Sequence, residues 1–193
     1  MPRIDSEKFY TSAIEMHGTS AKGVNWASKE SQFLRFKTIL ELLPKDISSK
    51  TLVDAGCGFG DFYLYMEKKK RLPKEYIGID SLLDMHSIAS QKTGREIILA
   101  DICRDSIPQA DYYVCSGAMN VLDKFEAYLF IRNCFEASND GFIFNVLHAE
   151  DVSETYNYMT LKEIEGIANE LGVKYFVYRD DYMQNDITVG FLK

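Results

Sequence analysis

The sequence predicts an α/β fold built on a mainly parallel sheet, and three observations carry that expectation. Strand-like apolar runs alternate with helix-spaced segments from residue 51 onward, a glycine-rich turn follows the first run, and an acidic residue stands at the end of each of the next two.

Ahead of the first strand, Phe33, Phe36, Leu40 and Leu43 recur at helical spacing between Ser28 and Leu43, and Pro44 closes the segment. Thr51 to Ala55 forms a short strand, Gly56 to Gly60 a tight turn, and Phe62 to Lys70 a helix. Strand Tyr76 to Ile79, helix Leu82 to Lys92 and strand Glu96 to Leu99 follow, then an irregular piece ending at Pro108 and strand Tyr112 to Cys115. Helix Phe125 to Ala137, strand Phe142 to Leu147 and helix Leu161 to Leu171 continue the alternation. Helices between successive strands imply right-handed crossovers and therefore parallel pairing. Val173 to Tyr178 and Ile187 to Leu192 are joined by a polar segment without helical spacing, which predicts an antiparallel hairpin. Residues 1–45 are expected to form a helical extension that packs beside the site or covers it. Within it, Lys22-Gly23-Val24-Asn25-Trp26 combines a flexible glycine with the only tryptophan and is a candidate lid, or else the tryptophan anchors the extension to the body.

Composition narrows the function. A chain of 193 residues, 46% hydrophobic, fits one compact domain. The four cysteines include no C-x-x-C pair and the amino terminus is polar, so a reduced, cytoplasmic setting is expected. No apolar run approaches the roughly 20 residues that span a bilayer, so no membrane segment is expected. A net charge of −7 repels phosphate backbones, which argues against a nucleic-acid partner. The one basic run, Lys68-Lys69-Lys70-Arg71, ends a helix and is read as compensation of the helix dipole.

The segment Asp54-Ala55-Gly56-Cys57-Gly58-Phe59-Gly60-Asp61 carries the most chemistry. Glycines directly after a strand permit a tight turn and close approach of a ligand to the backbone. A nicotinamide dinucleotide would require glycine at position 61, where this chain has Asp61, and its pyrophosphate would face Asp54 and Asp61. S-adenosylmethionine (SAM) presents the opposite chemistry, a sulfonium and an ammonium with no phosphate. Asp54 would favour the ammonium, while Gly56, Cys57, Gly58 and Gly60 leave room for the methionine portion. Asp80, followed by Ser81, would accept from the ribose hydroxyls or cap the helix that follows. Asp101 would accept from the adenine amino group, and the backbone of Ile102 would complete the base edge. Ser116 and Gly117 would lie beside the cofactor, with Asn120 near the site of transfer. No metal ligand set is recognisable.

With these residues in this order, the chain resembles the class I SAM-dependent methyltransferases, in which D-x-G-x-G-x-G and acidic ends to the second and third strands recur. The resemblance runs from about Ser28 to Lys193. It implies a Rossmann-like three-layer sandwich with a seven-stranded, mostly parallel sheet and an antiparallel last strand. More narrowly, Ser116-Gly117-Ala118-Met119-Asn120, Phe144-Asn145-Val146-Leu147, and Asp181-Tyr182 with Asp186-Ile187-Thr188-Val189 look like stand-alone bacterial methyltransferase-domain proteins whose substrates are mostly unassigned.

Other residues carry two readings each. Arg35 would reach the methionine carboxylate or lie solvated on its helix. His148, after the fifth strand, would serve as a general base for a hydroxyl or amine acceptor, or sit idle at the surface. Tyr156, Tyr158 and Tyr182 would line an acceptor pocket or fill the core; Cys57 and Cys115 are read as small buried fillers, and His17 and His86 receive no role. The Asp/Asn-Pro-Pro-aromatic tetrapeptide of many amino-group methylating enzymes is replaced by Ser116-Gly117-Ala118-Met119, which disfavours adenine and glutamine amides as acceptors. The expected activity is methyl transfer to a small-molecule acceptor by a monomer or homodimer, releasing S-adenosylhomocysteine (SAH). A SAM-binding module that serves a partner without catalysis, and an NAD-linked oxidoreductase, are the alternatives.

Overall fold

The computed structural model describes residues 6–18, 28–150 and 153–193. The candidate lid Lys22 to Trp26 lies outside the described residues. Two helices, α1 (Ser6–His17) and α2 (Lys29–Leu42), precede the sheet. Then come β1 (Thr51–Ala55), α3 (Asp61–Lys68), β2 (Glu75–Asp80), α4 (Leu83–Thr93), β3 (Glu96–Leu99) and β4 (Ala110–Ser116). A 3-10 turn (Ala118–Val121), α5 (Lys124–Ala137), β5 (Ser138–Leu147), α6 (Leu161–Glu170), β6 (Tyr175–Arg179) and β7 (Asp186–Leu192) complete the chain.

The strands form a seven-stranded sheet in the order β3-β2-β1-β4-β5-β7-β6. β1 pairs parallel with β2 on one side and β4 on the other. β7 runs antiparallel between β5 and β6, so the closing hairpin and the antiparallel last strand both hold. Strand order reverses at β1. Because crossovers are right-handed, α3 and α4 fall on one face of the sheet and α5 and α6 on the other, and a crevice opens at the carboxyl ends of β1 and β4.

Period-two alternation divides the core accordingly. Leu52, Tyr76, Tyr112, Val114 and Ile143 face a cluster with Phe36, Ile39, Leu40, Phe62 and Met66. Val53, Ile77, Tyr113, Cys115, Phe144 and Val189 face the cluster of Phe130, Ile131 and Ile164. α2 thus packs as a layer helix against the sheet. Its amino end is closed by a capping box between Ser28 and Ser31, and α5 and α6 carry equivalent boxes at Asp123/Glu126 and Thr160/Glu163.

Three details depart from the expected elements. β4 and β5 begin earlier, at Ala110 and Ser138, because main-chain pairing across an irregular register extends them through residues without alternating apolar character. α3 ends at Lys68, and Lys70 takes φ 55°, which terminates the helix inside the basic run. α1, not expected as a distinct element, covers Ser6–His17. Among the described residues no helix is long and apolar enough to cross a membrane.

Candidate functional site

The turn after β1 is held by the neighbouring strand. The amides of Gly56 and Cys57 both donate to the carbonyl of Ile79, at 2.8 and 3.0 Å. The next amide, Gly58, donates to Asp80 Oδ2 at 2.9 Å, and the Leu82 amide donates to Asp80 Oδ1 at 3.0 Å. Asp80 is therefore not the cap of α4, whose N-cap is Leu82; its carboxylate stitches the tip of β2 to the glycine turn. Gly56 has φ 73°, and a Cβ there would lie 2.3 Å from the Cβ of Ala118, so both backbone and space demand glycine.

Above this turn lies a cleft open to solvent. It brings together nearly every residue singled out from the sequence: Arg35, Asp54, Gly56, Cys57, Gly58, Asp80, Ser81, Asp101, Ile102, Ser116, Gly117 and Asn120 all line it, as does Tyr156. Gly60 is not among the lining residues; with φ 76° it turns the chain into α3 from behind the cleft. Neither His148, Tyr158 nor Tyr182 lines it. His148 Nδ1 is bonded to the Met159 carbonyl at 2.8 Å; a carbonyl only accepts, so Nδ1 carries the proton. Several walls escaped the sequence reading, notably Phe9 of α1, Gln32 and Phe36 of α2, Met85 of α4 and Leu122. Gln32 and Phe36 share a helical face with Arg35, which was the signal available for them.

The cleft is acidic. Asp54, only 3% exposed, accepts from the buried Tyr76 hydroxyl at 2.7 Å. Burial pushes its pKa up to about 7, against that hydrogen bond and with the help of the nearby Asp80 and Asp61 charges. Burial likewise raises Asp80 to about 6, opposed by the amides of Leu82 and Gly58. Asp101 is partly engaged: its Oδ1 accepts from the Cys103 amide at 2.9 Å, and Arg104 Nε lies 3.4 Å from its Oδ2. The carbonyl of Ile102 accepts from Asn133 Nδ2 at 2.8 Å. Asp61, at the start of α3, accepts from Gln32 at 3.3 Å and pairs with Lys92 at 3.0 Å, tying α2 and α4 to one carboxylate.

Asn120 is presented by the 3-10 turn after β4. Its Oδ1 accepts from the Leu147 amide at 3.2 Å and its carbonyl from the Asn157 amide at 2.7 Å, so the turn is fixed to the end of β5. Arg35 is 5% exposed and forms a buried ion pair with Asp186 of β7.

No protein-family model and no curated protein matches the sequence. Solved structures do. Magnesium protoporphyrin IX methyltransferase from Synechocystis PCC 6803, crystallised with bound SAM, is similar at 13% identity with a TM-score of 0.73, over 100% of this chain and 99% of that one. A SAM-dependent methyltransferase of Leishmania major matches at 17% identity and a TM-score of 0.73, over 96% of this chain and 83% of that one. A putative methyltransferase from Haloferax volcanii, solved in complex with the Trm112 methyltransferase activator, matches at 13% identity and a TM-score of 0.72, over 96% and 97%. With the strand order and the antiparallel seventh strand, these likenesses define the chain's fold as that of the class I SAM-dependent methyltransferases.

Proposed function

We propose that the chain is a SAM-dependent methyltransferase that acts on a small-molecule acceptor. The observation that carries this reading is the convergence of four strand ends on one cleft: the glycine turn after β1, Asp80 at β2, Asp101 and Ile102 beyond β3, and Ser116 and Gly117 at β4. The donor set suits SAM. Asp80 offers carboxylate oxygens to a vicinal diol, and Asp54 with Asp61 flanks the turn with negative charge suited to an ammonium group. A diphosphate would meet Asp54, Asp61, Asp80 and Asp101 in the same cleft, with Arg35 the only cation among its described lining residues. When bound, SAM supplies a methyl group already activated on a sulfonium.

The chain's own work is then alignment and exclusion of water. Met85 and Leu122 offer apolar walls, while Asp101 and the Ile102 backbone present polar groups to a base edge. Asn120, held by the Leu147 amide, and Tyr156 border the acceptor's position. Phe9, Gln32, Arg35 and Phe36 are the described parts of residues 1–45 that border the cleft, in keeping with a covering role for this extension. The test is calorimetry with SAM, SAH and NAD, followed by an acceptor screen with methyl-labelled SAM. Binding of SAM and SAH but not NAD, with label transferred to an acceptor, is the expected result. NAD affinity without SAH affinity would reject the reading, and SAM binding without turnover on any acceptor would favour a non-catalytic module.

A further inference from the structure

A continuous chain of hydrogen bonds runs through the interior from one cleft-lining residue to another. Register creates it: Ser116 of β4, Asn145 of β5 and Thr188 of β7 are cross-strand partners in a single row. Ser116 Oγ bonds Asn145 Oδ1 at 2.8 Å, Asn145 Nδ2 bonds Thr188 Oγ1 at 3.1 Å, and Thr188 Oγ1 bonds the Tyr182 hydroxyl at 2.7 Å. Tyr182 then bonds Asp186 Oδ1, and Asp186 Oδ2 receives the guanidinium of Arg35.

The direction of every bond follows from the last one. A guanidinium does not lose its proton, so the carboxylate facing it accepts only. Tyr182 must therefore donate to Asp186 and accept from Thr188, Thr188 must accept from the Asn145 amide nitrogen, and Asn145 must turn its oxygen to Ser116. All donors point toward Asp186, an arrangement in which each bond polarises the next.

A buried ion pair is costly to desolvate and is often replaceable by apolar residues. Here Asp186 is 1% exposed and its partner opens into the cleft, where the other charged residues among the described lining are Asp54, Asp61, Asp80 and Asp101. One cation set among carboxylates complements a zwitterion, with the ammonium toward the acids and the carboxylate toward the arginine. We propose that Tyr182 and Asp186 are positioning residues that fix the Arg35 guanidinium to receive the carboxylate of a ligand's amino-acid tail. The inference rests on the SAM reading above and adds two residues that do not touch the ligand.

The experiment compares two ligands that differ in that tail. SAH carries the amino-acid portion; 5′-methylthioadenosine keeps the nucleoside and thioether but lacks it. Calorimetry of both is run on the wild type, Arg35→Ala, Tyr182→Phe and Asp186→Asn, with thermal melting to confirm that each variant is folded. Tyr182→Phe should weaken SAH binding by roughly five- to tenfold, the worth of one ordinary hydrogen bond, and leave methylthioadenosine unchanged. Asp186→Asn should lose more and follow Arg35→Ala in the same selective way; if it does not fold, Tyr182→Phe decides alone. Equal loss on both ligands, or no loss on SAH, overturns the inference while wild-type binding upholds the SAM reading. A wild type that binds neither ligand removes both.

Discussion

Gly58 donates its amide to the Asp80 carboxylate across the β1–β2 boundary at 2.9 Å, so the glycine turn and the acidic strand end form one unit rather than two adjacent motifs. Asp80→Ala removes the acceptor of both the Gly58 and Leu82 amides as well as the acid offered to a ribose. SAM affinity should fall at least tenfold, and stability by about 1–3 kcal/mol from amides left without a partner. Calorimetry and urea unfolding measure the two effects separately. Wild-type affinity in this variant would remove Asp80 from the cofactor site.

Asp54 and Asp80 are the groups through which pH acts on the cleft. Their folded pKa values, about 7 and about 6, stand above the ordinary carboxylate value of 3.8. The folded state therefore holds protons that the unfolded chain has released, and their contribution to stability is complete below about pH 4 and lost as pH rises toward 7, at up to about 1.4 kcal/mol per pH unit for each group. The difference in stability between wild type and Asp54→Asn should slope downward over that window and flatten above it. A flat difference from pH 4 to 8 would contradict the raised value.

Ligand binding should show the same linkage from the other side. The ammonium group of the ligand's tail favours the ionised carboxylates, so SAH should bind with proton release near pH 6 and with almost none near pH 8.5. Calorimetry in buffers of different ionisation enthalpy counts those protons. Proton uptake at pH 6 is the result that this electrostatic picture does not allow.

Gly56→Ala places a Cβ on a backbone of φ 73° and 2.3 Å from the Ala118 Cβ. Left-handed strain alone costs about 1–2 kcal/mol, and the contact adds to it. Thermal melting should fall by several degrees with loss of SAH binding. An unchanged melting temperature would mean that the turn relaxes freely.

His148 and Asn120 should separate in their effects. His148 does not line the cleft, so His148→Ala should leave SAH affinity and methyl transfer intact. Asn120 lines it and anchors the Leu147 amide, so Asn120→Ala should leave SAH bound but reduce label transfer to whichever acceptor the screen identifies. Lost turnover in His148→Ala would reinstate the histidine as a base.

Much of this site was legible because its residues sit at strand ends, where hydrophobic periodicity stops and a glycine or carboxylate stands out. Gly56, Gly58, Asp80, Asp101 and Ser116 were found that way. The connection of the positioning chain was not: Asn145, Tyr182, Asp186 and Thr188 all fall in segments that carry the narrower resemblance, but only the register of β5 against β7 sets Asn145 beside Thr188. Arg35 was legible as a candidate, but its partner Asp186 lies 151 positions away, beyond any local pattern. Phe9 and Met85 were hidden for a simpler reason, since an apolar residue that lines a cleft looks no different in sequence from one that fills a core.

Gly56 and Ala118 share one small volume where the turns after two neighbouring strands meet, the first following β1 and the second opening the turn that holds Asn120. Gly56 cannot accept a side chain while Ala118 stays as it is. A side chain at position 56 should therefore be inherited only with a compensating change at 118, and a glycine turn that carries one should fail when swapped in alone from a distant homologue.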